Sequence, residues 1–470
     1  MNFAELHFWL YLGAALIVVL SLRQLVPRIY RKSAHAAVVR YDRVAILGIG
    51  LFLLGCASLK TLAVFLFVSM VTYVGLALFL CLTGAHRYAI IAVLVPLQLA
   101  PLLYYKYADF VVNGVLGQGA ADLSDLIIPV GLSFYTFQKV AFLIDTVVHK
   151  HPLPNFPDFM NFAAFFPQIV AGPIERRENL LPQMQNFRFR WDPQSIDAGV
   201  SWIVLGLFFK VCLADNLALH FDAHSADNPF SIWLGNLVFG LRIYYDFVGY
   251  SFVALGLALC LGITLTLNFA SPYTSCDAQE FWRRWHITLS TWFRDYIYLP
   301  LGGNRTKLWW MTVLLVFVIS GIWHGAGWNF ILWGGLWGLM LLCFHLFKAS
   351  RIPRVVGWAI TMTGAFFAWL CFYETRTPVL LTKIGVLLNP RNYTSANLQS
   401  AGAAIETGNL FVLSFFLLLA FGTLFIEWLS LRSGGGPYSL LRKPPVLCLL
   451  VVLTILLAAS EKNDFIYFAF

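Results

Sequence analysis

Long apolar segments alternate with short polar connections along most of the chain. Ten of these segments approach the roughly 20 residues that an α-helix needs to cross the hydrocarbon core of a bilayer. They lie at residues 6–22, 44–59, 61–82, 88–105, 196–214, 247–267, 328–347, 355–373, 409–430 and 444–460. Less regular segments lie near 125–145, 159–172, 230–246 and 309–323. Together they predict an all-α polytopic membrane protein with roughly eleven to thirteen membrane-embedded helices.

The composition supports this class. Hydrophobic residues make up 59% of the chain and charged residues 12%, whereas soluble domains carry about 25% charged residues. The first segment lacks a basic region and a cleavage site, so we expect a retained helix rather than a signal peptide. No tract rich in Pro, Gly or Ser marks a linker, and we expect one integral-membrane domain over residues 1–470. The eight cysteines are scattered, which favours small buried side chains over disulfides or a zinc site.

The positive charge is placed in short connections between the apolar segments. The net charge is +9, with basic clusters at 23–43, 176–190, 283–307, 348–354 and 432–443. Such clusters normally face the cytoplasm, and their dispersal argues against a nucleic-acid surface. If residues 432–443 are cytoplasmic, the last segment runs outward and the tail at 461–470 emerges on the extracytoplasmic side.

An ionisable side chain lies in the glycine-rich stretch "SGIWHGAGW" (320–328), between two apolar segments. A lone buried histidine such as His324 is commonly a neutral imidazole bonded to a nearby carbonyl. Here Gly321, Gly325 and Gly327 weaken the helix, and a broken helix at membrane depth must be buried in protein or line a water-filled cavity. Because imidazole suits proton transfer near neutral pH, His324 is a candidate base for a substrate hydroxyl. His220 and His224 lack a third ligand nearby, and we predict no metal site.

A second polar region is the connection at 268–308. Asp277, with Glu280 three residues later, predicts a helix start of the capping-box type. The following positions form an apolar stripe with basic residues elsewhere on the helix, a pattern typical of a helix at the cytoplasmic membrane surface. The stripe consists of Phe281, Trp285, Leu289 and Trp292, and packing is its commoner role. His286 points off the centre of this stripe.

Two stretches, "FWRRWHITLSTWFRDYIYLPLGGNR" (281–305) and "SGIWHGAGWNFILWG" (320–334), closely resemble the membrane-bound O-acyltransferase family. The nearest similarity is to its alginate O-acetyltransferase (AlgI) branch, akin to the DltB and PatA proteins of cell-envelope acylation. Further matching stretches are "YYKYADF" (104–110), "PVGLSFYTFQKVAFLIDT" (129–146), "FFPQIVAGPIER" (165–176) and "YYDFVGYS" (244–251).

The resemblance implies a ring of helices around a thin centre, where a cytoplasmic tunnel meets an outer funnel. It implies that His324 is the catalytic histidine and His286 the second invariant polar position. Substrate-binding candidates in the two motifs are Trp282, Arg283, Arg284, Trp285, Asn304, Arg305 and Trp323. Arg283, Arg284 and Arg305 are candidates for the phosphates of CoA, with membrane topology or lipid headgroup contact as the alternative role.

The last six residues, "FIYFAF", allow two interpretations. Composition alone favours an aromatic anchor at the membrane interface. The segment also resembles the F-x-Y-x-x-F ending of several acylation systems in this family, carried here by Phe465, Tyr467 and Phe470. In that resemblance Tyr467 accepts the acyl group and relays it, which the outward placement of the tail supports.

The leading hypothesis is an O-acetyltransferase of the bacterial cytoplasmic (inner) membrane that uses cytoplasmic acetyl-CoA and needs no other cofactor. It would serve O-acetylation of an extracytoplasmic polysaccharide such as alginate or peptidoglycan. The resemblance implies a partner with a serine-esterase (SGNH-like) domain. The alternatives are a proton-coupled transporter or channel for a small solute or lipid-linked intermediate, and a family member without catalysis. The sequence argues against transport because it suggests no intramembrane carboxylate cluster, and against lost catalysis because both histidines are kept.

Overall fold

The structure, a computed structural model, describes residues 2–80, 86–117, 126–169, 172–347, 352–403, 407–459 and 465–466. Within these residues every regular element is helical, which confirms the predicted all-α class. The chain divides into two compact units, residues 1–203 with 251–266, and residues 204–250 with 267–470. The expectation of a single domain over 1–470 stays a prediction.

The α-helices are numbered in chain order. The first ten are α1 (Leu6–Arg23), α2 (Val26–Ile29), α3 (Ala34–Ala57), α4 (Leu59–Phe79), α5 (His86–Leu102), α6 (Leu132–Val148), α7 (Phe156–Ala163), α8 (Phe166–Ile169), α9 (Arg177–Gln185) and α10 (Pro193–Leu207). The remaining helices are α11 (Asp215–Leu219), α12 (Pro229–Cys260), α13 (Ala278–Arg284), α14 (Ile287–Phe293), α15 (Trp309–His324), α16 (Trp328–Leu346), α17 (Arg354–Tyr373), α18 (Thr377–Leu388), α19 (Ser395–Ala403), α20 (Thr407–Arg432) and α21 (Pro444–Leu457).

Eight helices in the described part of the chain are long and apolar enough to cross a membrane, and three shorter apolar helices join them. The polytopic class is therefore confirmed. One boundary is wrong: the segments expected at 230–246 and 247–267 form the single 32-residue helix α12. Hydropathy drops within it because Asp246 is charged, yet Asp246 is buried and paired with Lys210, so the backbone continues as a helix.

Two buried charged side chains of the first unit, Asp42 and Lys139, lie against groups that compensate them. Arg23 donates two hydrogen bonds to the carboxylate of Asp42, at 2.6 and 3.0 Å. Lys139 lies over the rings of Phe65 and Tyr135, with its ammonium 4.0 and 4.5 Å from their centroids. These contacts offset the cost of burial.

In the second unit, α15 and α16 form a close hairpin through glycines. A side chain at Gly321 would overlap the backbone carbonyl of Phe330, and one at Gly334 would overlap that of Phe317. Small residues let helices in a bilayer approach closely. The glycine-rich stretch therefore holds the two helices together and also ends α15 at His324.

The single helix expected after Asp277 is interrupted. Asp277 does cap its start, accepting from the backbone N–H of Glu280 at 2.7 Å. However, α13 ends at Arg284, and His286 takes a left-handed conformation (φ 43°) before α14 begins. The apolar stripe is buried as expected for packing, but two short helices carry it rather than one.

Candidate functional site

His324 is the last residue of α15 and is 1% exposed. Aromatic rings surround its imidazole, with centroids 4.9 Å away for both Trp323 and Trp333 and 5.5 Å for Phe372. At Gly325, the next residue, a Cβ would collide with a neighbouring phenyl ring. The helix therefore ends where the chain needs a glycine, and the imidazole lies in an aromatic enclosure.

His286 is fully buried and is oriented by Asn268. The Oδ1 atom of Asn268 accepts hydrogen bonds from the backbone N–H and the hydroxyl of Thr288, at 3.2 and 2.9 Å, and lies 3.2 Å from Nδ1 of His286. A backbone N–H can only donate, so the Asn268 atom it faces is the oxygen, and Nδ1 of His286 carries the proton. Burial lowers the pKa of His286 to about 3. The ring is thus neutral, with its lone pair on Nε2.

Trp323 joins the two histidines. Its ring lies 4.9 Å from that of His324 and 6.0 Å from that of His286. Phe247 from α12 meets His286 edge to face at 4.8 Å. Two histidines separated by 38 positions in the sequence therefore contribute to one buried aromatic cluster in the second unit.

The tryptophans predicted for substrate binding lie in the wall of this cluster. Trp282 packs against Trp333 at 5.8 Å, and Trp285 packs against Trp369 at 5.2 Å. Trp333 also contacts His324, so Trp282 is one ring removed from the imidazole. Their positions are those of supporting rings.

The predicted polar binding residues lie further out. Arg284 is bound to Glu280 at 2.6 Å and to Thr274 at 2.9 Å. Arg283 is exposed, as are Asn304 and Arg305 in a short turn, where Asn304 accepts from the hydroxyl of Tyr298. The structure thus brings the histidines and tryptophans into one cluster and leaves Arg283, Asn304 and Arg305 at the surface.

Tyr467 and Phe470 lie outside the described residues. The tail residues that are described, Phe465 and Ile466, are both buried. The ring of Phe465 lies 4.4 Å from that of Tyr250 and 5.5 Å from that of Phe247. The chain immediately before Tyr467 therefore contacts the same phenylalanine that touches His286.

The sequence reasoning missed several residues of this region, notably Asn268 and a buried charged group. Lys210 lies 2.6 Å from Asp246 and 2.8 Å from Asp215, with all three side chains at most 3% exposed. This overturns the expectation that no carboxylates cluster within the membrane-embedded segments. The signal was present, since ionisable residues inside apolar segments usually mark a functional region.

Comparison with known proteins identifies the family of the chain. A model of the MBOAT (membrane-bound O-acyltransferase) family matches residues 145–382, which include both histidines. Peptidoglycan O-acetyltransferase of Helicobacter pylori is 35% identical over 328 residues, covering 60% of this chain and 62% of that protein. Probable alginate O-acetylase AlgI of Pseudomonas putida is 32% identical over 417 residues, covering 82% and 85%.

A teichoic acid D-alanyltransferase of Bacillus subtilis is more distant, at 28% identity over 53% of this chain and 68% of that protein. The chain spans less than two thirds of the length of the Helicobacter pylori relative. The family match covers half of the chain, and the Pseudomonas putida relative is matched over most of its length. This chain therefore belongs to the membrane-bound O-acyltransferase family.

Proposed function

We propose that the protein transfers an acetyl group from cytoplasmic acetyl-CoA to the phenol of Tyr467, for onward O-acetylation of an extracytoplasmic polysaccharide. The observation that carries the proposal is the shared aromatic cluster, in which Trp323 links His324 to His286 and Phe247 links His286 to Phe465. A candidate base and a candidate carrier segment thus approach the same group of rings.

His324 is the proposed base. It takes the phenolic proton of Tyr467 as the phenolate oxygen attacks the thioester carbonyl, forming the C–O bond and breaking the C–S bond. The proton then passes to the departing thiolate, which leaves as the CoA thiol. A phenol has a pKa near 10 and ionises more readily than a sugar hydroxyl, so splitting the transfer into two steps lowers each barrier.

His286 is proposed to orient the substrate by accepting a hydrogen bond at Nε2, since a ring nitrogen without a proton cannot polarise the acyl carbonyl. Because its proton is held on Nδ1 by Asn268, the neutral ring presents Nε2, and its position is fixed by burial. Arg283 and Arg305, exposed at the surface, are proposed to attract the CoA phosphates. Their placement on the cytoplasmic side rests on the basic cluster at 283–307.

The final acceptor is proposed to be reached through a separate extracytoplasmic serine-esterase-like enzyme, which takes the acetyl group from Tyr467. The names of the relatives, peptidoglycan O-acetyltransferase and alginate O-acetylase, support a cell-envelope glycan as acceptor. The proposed location is the bacterial inner membrane with the tail facing outward.

The test is the intact mass of the purified protein after incubation with acetyl-CoA. Wild type, His324→Ala and Tyr467→Phe are compared with His345→Ala, which removes a histidine of α16 that packs on Trp309 outside the cluster. We expect one added acetyl group on wild type and His345→Ala, and none on the other two variants. An adduct that survives Tyr467→Phe refutes the carrier, and one that survives His324→Ala refutes the base.

A proton-coupled transporter is the second candidate, favoured by the buried Lys210, Asp215 and Asp246. In proteoliposomes, this function predicts a proton flux across the bilayer, read with a pH-sensitive dye, that does not require acetyl-CoA. Acetyl transfer without such a flux excludes it.

A further inference from the structure

The buried charged group of the second unit holds the backbone of the C-terminal tail. The N–H of Ile466 donates to Oδ2 of Asp246 at 2.8 Å. Asp246 is 2% exposed and Ile466 is 5% exposed, so the contact is sheltered from water. Hydrogen bonds to an ionised acceptor are roughly twice as strong as neutral ones, which makes this a firm attachment point for the tail.

Lys210 fixes the acceptor. Its ammonium lies 2.6 Å from Oδ1 of Asp246, so one carboxylate oxygen binds the lysine and the other, Oδ2, binds the tail. Asp215 binds the other side of the lysine at 2.8 Å. Lys210 lies in a π-helical segment, Phe208–Ala214, and such segments occur frequently at functional sites.

The chain that leads into the tail is attached to this segment and to the helix α11 that follows it. Asn216 donates to the carbonyl oxygen of Leu457, the last residue of α21, at 2.8 Å. The N–H of Ala459 contacts the carbonyl oxygen of Val211 at 3.5 Å. Residues 457–459 and Ile466 are thus both bound to groups next to Lys210, and Asp246 provides the last described attachment before Tyr467.

We propose that Asp246, held by Lys210, is a positioning residue that fixes the backbone of the tail at Ile466, one residue before Tyr467. The inference rests on the proposed function, in which Tyr467 carries the acetyl group. Consecutive Cα atoms are about 3.8 Å apart, so fixing the N–H of Ile466 restricts where Tyr467 begins. Phe465 adds an apolar contact, but the hydrogen bond supplies the direction of the backbone.

A purely structural role of the charged group makes a different prediction. In that case, removing either carboxylate lowers the stability and the acetylation rate to the same extent, because each is a buried partner of Lys210. In the positioning role the two differ, since only Asp246 touches the tail. Asp215→Asn is therefore the matched control for Asp246→Asn, and Asp215→Ala for Asp246→Ala.

The experiment uses the full-length protein in lipid nanodiscs with two readouts. Hydrogen exchange of the Ile466 amide reports the attachment itself, and the rate of Tyr467 acetylation by acetyl-CoA reports its consequence. Asp246→Ala removes the acceptor, whereas Asp246→Asn keeps an oxygen that can accept. Ile466→Pro removes the donor, and Ile466→Val keeps it.

We expect Asp246→Ala and Ile466→Pro each to slow acetylation by about one hundredfold, the loss that a displacement of about 1 Å causes. The double variant is no slower than either single variant, because both remove the same bond. Asp246→Asn restores part of the rate, while Asp215→Asn and Ile466→Val stay near wild type. Exchange at Ile466 accelerates in Asp246→Ala and not in Asp215→Ala.

Two outcomes overturn the proposal. One is unchanged exchange and acetylation in folded Asp246→Ala, and the other is equal loss in Asp215→Asn and Asp246→Asn. If wild-type Tyr467 is not acetylated, the proposed function fails separately, and the exchange readout still decides whether Asp246 holds the tail. In that case, faster exchange in Asp246→Ala would show that Asp246 holds the tail, and would refute a role of Asp246 in acyl transfer.

Discussion

The glycine contact between α15 and α16 allows a sharp prediction about His324. In Gly321→Ala, the new methyl would lie 3.0 Å from the carbonyl carbon of Phe330 and closer still to its oxygen. Unstrained contacts between carbon atoms are about 3.5–4.0 Å, so the two helices must separate by at least roughly 0.5–1 Å. The obstacle is backbone, which no change of side-chain rotamer can relieve.

The displacement acts directly on the site, because His324 follows three residues later on the same helix. We expect about one hundredfold slower acetylation, by the same displacement argument, and a stability loss of about 1–3 kcal/mol from overpacking. Gly335→Ala is the control, since a methyl there meets nothing within 4 Å. Acetylation is followed by intact mass and folding by thermal unfolding in detergent. Equal rates for the two folded variants would refute the reasoning.

Three further predictions follow from the contacts around the site and from one buried carboxylate. Asn268→Ala leaves the groups that donate to Asn268 without an acceptor, so we expect at least tenfold slower acetylation and a stability loss of about 1–3 kcal/mol per donor. Asn268→Asp is the control, because it keeps an acceptor for Thr288. Equal acetylation rates for the two variants would contradict this. Burial holds the pKa of His286 at about 3, so its ring nitrogen resonances stay constant between about pH 5 and 8, and a midpoint near 6.5 would argue against it. Burial raises the pKa of Glu374, but hydrogen bonds from Arg376 and Lys383 outweigh it and leave the pKa below its ordinary 4.5. The ionised carboxylate of Glu374 therefore stabilises the folded state above pH 4.5, and this stabilisation is lost as the pH falls through the lowered pKa. We expect the thermal unfolding temperature of Glu374→Gln to fall less over this acidic range than that of wild type.

Hydropathy predicted most of the membrane-embedded helices because a helix that crosses the hydrocarbon core needs an apolar segment of roughly fixed length. It divided α12 because a window average cannot distinguish an exposed charge from one paired across the fold, as Asp246 is with Lys210. The break between α13 and α14 at His286 could not be predicted from the sequence either, since neither Trp285 nor His286 is a residue that signals a turn. The left-handed conformation there is stabilised by tertiary contacts, including the N–H of Ile287 bound to the carbonyl oxygen of Asn268 at 2.9 Å.

For the site, the sequence pattern alone indicated only that His324 is an ionisable residue in an unusual place, a glycine-rich stretch between two apolar segments. The family resemblance supplied His286, and the structure supplied the connection through Trp323. Asn268 could not be assigned, because a single asparagine after an apolar segment has many ordinary uses. The roles of Arg283, Asn304 and Arg305 stay predictions, and the structure places all three side chains at the surface.

The modest length of α15 ties the proposed base, His324, to the lipid environment. At 16 residues the helix rises about 24 Å, against a hydrocarbon core of about 30 Å, and the 14 residues of α21 rise about 21 Å. Helices shorter than the core are accommodated by local thinning of the bilayer or by flanking side chains that reach to the interface. Lipids with longer acyl chains would increase this mismatch, so the lipid composition of the membrane becomes a variable that acts on the end of α15, where His324 lies.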